Sequence, residues 1–216
     1  MYRSGPDAPS PDILAREFDR LASQTYAGIR DGGLDPEVTF DLASFLMDWA
    51  PSSAAVRQLA EQSMTGTDPA RLADLAAQVL ADSDFEPGFA AEPRRLAELE
   101  RALKAVQADM HATGLAGPVR LVVLQDTPPR HAFAEFRGSY GHTSGVAPDA
   151  ADDPVRALIA VADDLQDAVM AALGTAWPVC PAHGLGGHPR EHDHQAVWWC
   201  SGRGGHVVAM IGTWSG

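Results

Sequence analysis

The chain has 216 residues, 45 % of them hydrophobic, and a formal net charge of −13 at pH 7. That length and apolar content allow one hydrophobic core, or one core with a small metal-stapled module. The acidic balance argues against nucleic acid as a partner, because phosphate binding needs a basic patch to release counterions. No apolar run approaches the ~20 residues of a membrane span, and no secretory hydrophobic region follows the N-terminus, so a cytoplasmic protein without a membrane partner is expected.

Helix starts are marked by a capping residue followed by proline at Ser10-Pro11, Asp35-Pro36, Asp68-Pro69 and Asp153-Pro154. After Ser10, the stripe Leu14, Phe18, Leu21, Thr25 and Ile29 predicts a helix that stops near Gly32-Gly33. A second runs from Pro36 to the break at Pro51, a third over 53–64 and a fourth over 69–81. Leu96, Leu99, Leu103, Val106 and Met110 define a fifth, from about Pro93 to Thr113, with Gly114 placed for a left-handed cap. Residues 10–115 therefore read as a helical bundle behind a flexible N-terminus, 1–9.

Composition changes after Gly117. Val119 to Leu124 is a β-type run and His131 to Phe136 alternates as a second, with Thr127-Pro-Pro-Arg130 between them. The stretch 138–152 has the Gly, Ser, Pro and Asp content of an exposed, partly disordered loop. From Pro154, Leu158, Val161, Ala162, Leu165, Val169 and Leu173 form a regular helix. Two further β-runs, Gln195 to Cys200 and His206 to Ile211, bring the expected strands to about four. The fold class is α+β: an N-terminal helical bundle, then an α+β region, 116–216, ending in a small antiparallel β-module over 175–214.

Both cysteines and five of the eight histidines fall between Trp177 and Trp214. Thiolate and imidazole donors suit Zn²⁺, which usually takes one close pair and a second pair returned by a turn. Cys180-Pro-Ala-His183 supplies the close pair. Cys200 ends one β-run and His206 opens the next across the flexible loop 201–205, so hairpin pairing would set them opposite each other. His188 competes for the fourth position, because Gly184-Leu-Gly-Gly187 could fold it back at little steric cost. A Cys180–Cys200 disulfide is the bland alternative, disfavoured by the absence of a secretory signal.

Trp177-Pro-Val-Cys-Pro-Ala-His183, His188-Pro189, Trp199-Cys200 and Ile211-Gly212 together resemble the C-terminal end of small actinobacterial proteins with a W-P-x-C-P-x-H…H-P…W-x-C…I-G pattern. The resemblance covers about a fifth of the chain. It implies a zinc-knuckle-like module in which His188 is the recurrent histidine, and it implies no activity. A single lysine, Lys104, and no asparagine suit the GC-rich genomes of such organisms.

Other constellations weigh less. Asp163-Asp-Leu-Gln-Asp167 has the D-D-x-x-D spacing of diphosphate-binding helices, without the companion motif. His188-Pro-Arg-Glu-His192 matches the inverted zinc-protease order, but Gly186-Gly187 and the β-run at Gln195 leave too little helix for it. His131, Glu135, Tyr140 and His142 could form an acid–base set around the middle loop. Two cysteines with two histidines favour a closed structural zinc site in a binding or accessory protein, whose protein or small-molecule partner the sequence does not name. The alternatives are a metal-dependent hydrolase or lyase using three of these ligands with Glu191 or Glu135, and an enzyme of secondary metabolism with its pocket in the helical half.

Overall fold

Proline begins five of the six α-helices found among the described residues. Its fixed φ suits the first helical position, where its missing N–H has no partner to lose. A computed structural model describes residues 9–50, 53–65, 68–124, 131–141 and 144–215. The helices are α1 (Pro11–Asp31), α2 (Pro36–Trp49), α3 (Ala54–Thr65), α4 (Pro69–Asp82), α5 (Pro93–Ala112) and α6 (Pro154–Leu173). Asp35, Asp68 and Asp153 cap backbone N–H groups of α2, α4 and α6 with their carboxylates, whereas the Ser10 side chain makes no such bond. Gly32 and Gly174 close α1 and α6 in the left-handed conformation.

The chain divides into two compact units after Glu92. In the first, α1 packs on α2 and α4, α2 on α3, and α3 on α4, which closes a ring of four helices. Leu21, Leu42, Leu46, Leu59, Leu75 and Val79 fill it. The hydroxyls of Thr39 and Ser63 meet inside at 3.0 Å, and each also bonds a backbone carbonyl one turn back.

In the second unit α5 packs on α6, and two three-stranded antiparallel sheets lie against this pair. One sheet is β1 (Val119–Val123), β2 (Ala132–Phe136) and β3 (Ser139–Tyr140), and the other is β4 (Gly187–His192), β5 (Gln195–Cys200) and β6 (His206–Met210). Ala132, Ala134 and Phe136 alternate inward on β2, as a sheet with one buried face requires. The buried carboxylate of Asp109 on α5 accepts the Trp198 indole N–H at 2.7 Å and the backbone N–H groups of Gly212 at 2.7 Å and Trp214 at 2.8 Å. Gln166, buried on α6, donates its amide to the carbonyls of Trp177 and Gly187. Thr113 accepts from the Trp177 indole at 2.8 Å, and the two buried indoles, Trp177 and Trp198, meet edge to face.

The α+β class read from the sequence holds, and the helix boundaries fall close to their predicted places. Three details differ. Helix α5, grouped by the sequence with a bundle over 10–115, belongs with the second unit, where Leu99, Leu103, Val106 and Met110 are buried. Helical periodicity reveals that a face is buried and is silent about what covers it. The described residues hold six strands where about four were expected: β3 falls in the stretch read as a loop, and β4 carries Gly187, Pro189 and four polar residues and looks like no β-run. Strand β4 stands at the margin of its sheet, the position that tolerates proline.

The stretch 138–152, expected as a loose loop, contains β3, a bridge from Val146 to Ala132 and a 3₁₀ turn, Pro148–Asp152, with Pro148 and Ala150 buried. Its order comes from α6: at Gly141 any Cβ would lie 2.9 Å from the Asp164 carbonyl. The Thr127-Pro-Pro-Arg130 separator, His142 and the N-terminus 1–8 lie outside the described residues. Among the described residues no helix is long and apolar enough to cross a membrane.

Asp109→Ala leaves one buried and two partly buried donors without an acceptor. It is expected to destabilise the second unit by about 3 kcal/mol or more, measured by urea denaturation followed through tryptophan fluorescence.

Candidate metal centre

Two turns, one before β4 and one between β5 and β6, present the donor atoms. In the first, the N–H of Cys180 bonds the Leu185 carbonyl and the N–H of Gly184 bonds the Cys180 carbonyl, both at 2.8 Å. This winds Cys180-Pro-Ala-His183 into a knuckle, and Gly184, at φ 64°, takes the left-handed step that turns the chain back. In the second, Cys200 pairs with His206 across β5 and β6, and the N–H of Gly205 bonds the Gly202 carbonyl at 2.7 Å to close the loop.

Cys180, His183, Cys200 and His206 converge, with one donor atom from each lying within 4.8 Å of all the others. The group could hold a metal ion. Cys180 Sγ lies 3.4 Å from His206 Nε2 and 3.8 Å from His183 Nδ1, and Cys200 Sγ lies 3.5 Å from His183 Nδ1. Metal–sulfur and metal–nitrogen bonds of zinc length, meeting at the tetrahedral angle, set sulfur and nitrogen about 3.6 Å apart. The three separations match the edges of such a tetrahedron. Both cysteines are free and buried, while His183 is exposed and His206 half-buried.

Backbone amides surround the sulfurs. Gly202 donates to Cys200 Sγ at 3.3 Å, and the amides of Ala182 and His183 donate to Cys180 Sγ. Burial pushes the Cys180 thiol up. The amide bonds and the neighbouring Cys200 outweigh that effect and hold it below the ordinary thiol range. A thiolate is the form a metal takes. Gly202 is required sterically, since a Cβ there would sit 2.5 Å from His183 Nδ1. The loop 201–205 was read from sequence as merely flexible, and its glycine at 202 is one residue of the site that reading passed over.

His188 stands apart from these four. Gly187 pairs with Cys200, so the next residue along β4 points to the opposite face of the sheet. There His188 is exposed and pairs with Trp199. On the same face the Arg190 guanidinium lies 4.5 Å from the Trp199 ring centre and the His192 ring 5.3 Å from it. The inverted zinc-protease pattern, His188 to His192, therefore lies on a strand, with Glu191 on the other face from the two histidines. Glu191 is exposed at the far end of β4, about 13 Å along the strand from Gly187, and lies 3.4 Å from exposed His194.

The remaining candidates are occupied elsewhere. Glu135, on the other sheet, accepts from Arg120 at 2.8 Å and from the Tyr140 hydroxyl at 3.4 Å. His131 Nδ1 meets the Ser144 carbonyl at 2.7 Å. The D-D-x-x-D motif is split: Asp164 is buried and accepts the Ala134 N–H, whereas Asp163 is exposed and Asp167 half-buried. Desolvation and the neighbouring Asp167 raise the Asp163 carboxyl above its usual range, with His188 opposing.

No protein-family model matches this chain, and neither the curated proteins nor the solved structures contain a match to it. The site's chemistry rests on its own geometry.

Gly202→Ala drives a methyl group into the His183 ring. It is expected to lower the affinity for Zn²⁺ about tenfold or more, measured by competition against a chromophoric chelator, with the far-UV helical signal unchanged.

Proposed function

We propose that Cys180, His183, Cys200 and His206 bind one zinc ion that staples the knuckle before β4 to the β5–β6 turn. The protein then acts as a zinc-stabilised binding or accessory protein. The observation that carries this reading is the four-donor group at tetrahedral spacing, made of two sulfurs and two imidazole nitrogens. Two soft sulfur and two nitrogen donors suit Zn²⁺ over the hard cations, which take oxygen.

A closed site distinguishes a structural metal from a catalytic one, which keeps a position for water and a base beside it. Four side chains would fill four positions here, and the carboxylates considered as bases have other partners, Glu191 beside His194 and Glu135 beside Arg120 and Tyr140. His206 as the fourth ligand follows from strand alternation, which turns His188 outward. The charge favours a role without nucleic acid, since 29 carboxylates against 16 cations repel phosphate on balance.

Protein purified without chelator should carry one zinc per chain by elemental analysis, and Co²⁺ exchanged into it should show thiolate charge-transfer bands. His206→Ala is expected to weaken zinc binding severely, about tenfold or more, whereas His188→Ala leaves it unchanged. The reverse pattern overturns the ligand set, and negligible zinc in the wild type overturns the proposal. Stripping the metal, or Cys200→Ala, should destabilise the C-terminal unit by several kcal/mol, about 3 or more, while the helical signal of α1 to α4 persists.

A further inference from the structure

The helical unit carries a groove that its own core does not fill. Leu14 and Phe18 of α1, Phe45, Leu46 and Trp49 of α2, and Val56 of α3 line a cavity of about 540 Å³. The Phe18 and Phe45 rings stack with centres 6.4 Å apart, and Trp49 keeps 41 % of its surface exposed. Ile13 and Met47, one residue from Leu14 and Leu46, are likewise exposed. Such an apolar surface on an acidic unit is too large to be a scatter of single residues.

Charge specifies what fits it. Residues 1–92 hold sixteen of the chain's 29 carboxylates and only six of its 16 cations. The charged side chain in the groove wall is Asp82. Asp12, Asp48 and Asp84, all exposed, adjoin Ile13, Trp49 and Ser83 in sequence, against Arg16 and Arg57 nearby on α1 and α3. A second copy would bring acid against acid, an anionic membrane would be repelled, and a neutral small molecule would leave the charges unused.

The walls also restrict the backbone of the occupant. Leu14, Phe18 and Phe45 stand on helix sides whose N–H and C=O groups are engaged internally, and beside them lie helix ends and, among the described residues, no strand edge, so an extended segment would bury most of its own polar groups without partners. A helix satisfies them itself. We infer that this groove receives a cationic amphipathic helix of a partner protein, with apolar residues at i, i+3, i+4 and i+7 seated against Phe18, Phe45 and Trp49. The inference is independent of the metal reading, because it rests wholly on the helical unit.

The test uses the full chain and a fluorescent Leu/Lys peptide of about five helical turns with that apolar stripe. Its controls are a peptide of the same composition with alternating Leu and Lys, and the Leu/Glu counterpart. Fluorescence anisotropy should show saturable one-to-one binding of the Leu/Lys helix, weakened by salt, and none of either control. Trp49→Ala should weaken it about tenfold or more, and Asp82→Lys about threefold or more. If Trp49→Ala fails to fold, Asp82→Lys at an exposed position still decides. Equal binding of the alternating peptide, or unchanged binding in both variants, overturns the inference. So does a dimer in sedimentation that Trp49→Ala dissociates, or saturable binding of an uncharged long-chain alcohol without binding of the peptide.

Discussion

The register of β5 governs the C-terminal half of the molecule. Residues along a strand alternate between faces, so pairing Cys200 with both Gly187 and His206 fixes where every neighbour points. Trp198 turns inward to the Asp109 carboxylate, Cys200 turns toward the knuckle, and Trp199 turns outward against Arg190 and His192. A slip of one residue would expose Trp198 and separate the two sulfurs. The irregularity between Trp198 and Trp199 on the β6 side keeps both the core contact and the Cys200–His206 pair in one strand.

That register is held from outside the sheet. Asp109 collects one indole and two backbone donors, from β5 and from the segment after β6, and Gln166 ties the carbonyls of Trp177 and Gly187 to α6. Together these bonds tie down the start of the knuckle segment and the strand that follows it. An ion bound by Cys180, His183, Cys200 and His206 would join the turn 180–183 to 200–206. The amides of Ala182 and His183 already face the Cys180 sulfur, which favours its thiolate form, and the Gly202 amide donates to Cys200 Sγ. Supporting groups of this kind orient ligands and strengthen their hold.

Charge is distributed unequally between the two parts of the chain. The helical unit is strongly acidic, whereas residues 93–216 hold thirteen carboxylates and ten cations, several paired locally as Arg95–Asp152, Arg120–Glu135 and Arg156–Asp149. Pairs near the surface contribute little stability each. The larger share of the net negative charge belongs to the helical unit. Its aromatic groove and its excess of carboxylates lie on the same four helices.

Local rules written into the sequence determined the helices and the contents of the site. Capping aspartates followed by proline marked three starts, apolar stripes marked the buried faces, and the crowding of both cysteines with five histidines marked the candidate metal site. Each of these signals acts over one or two turns of chain. Tertiary structure decided the rest: that α5 is covered by α6, that a strand exists where Gly187 and Pro189 stand, and that His188 faces away from the cysteines. A stripe shows that a face needs cover without naming the cover, and an edge strand needs only one partner, so it can be built from residues that do not look like a strand. The choice between His188 and His206 depended on strand parity, which exists only once β4 has paired with β5.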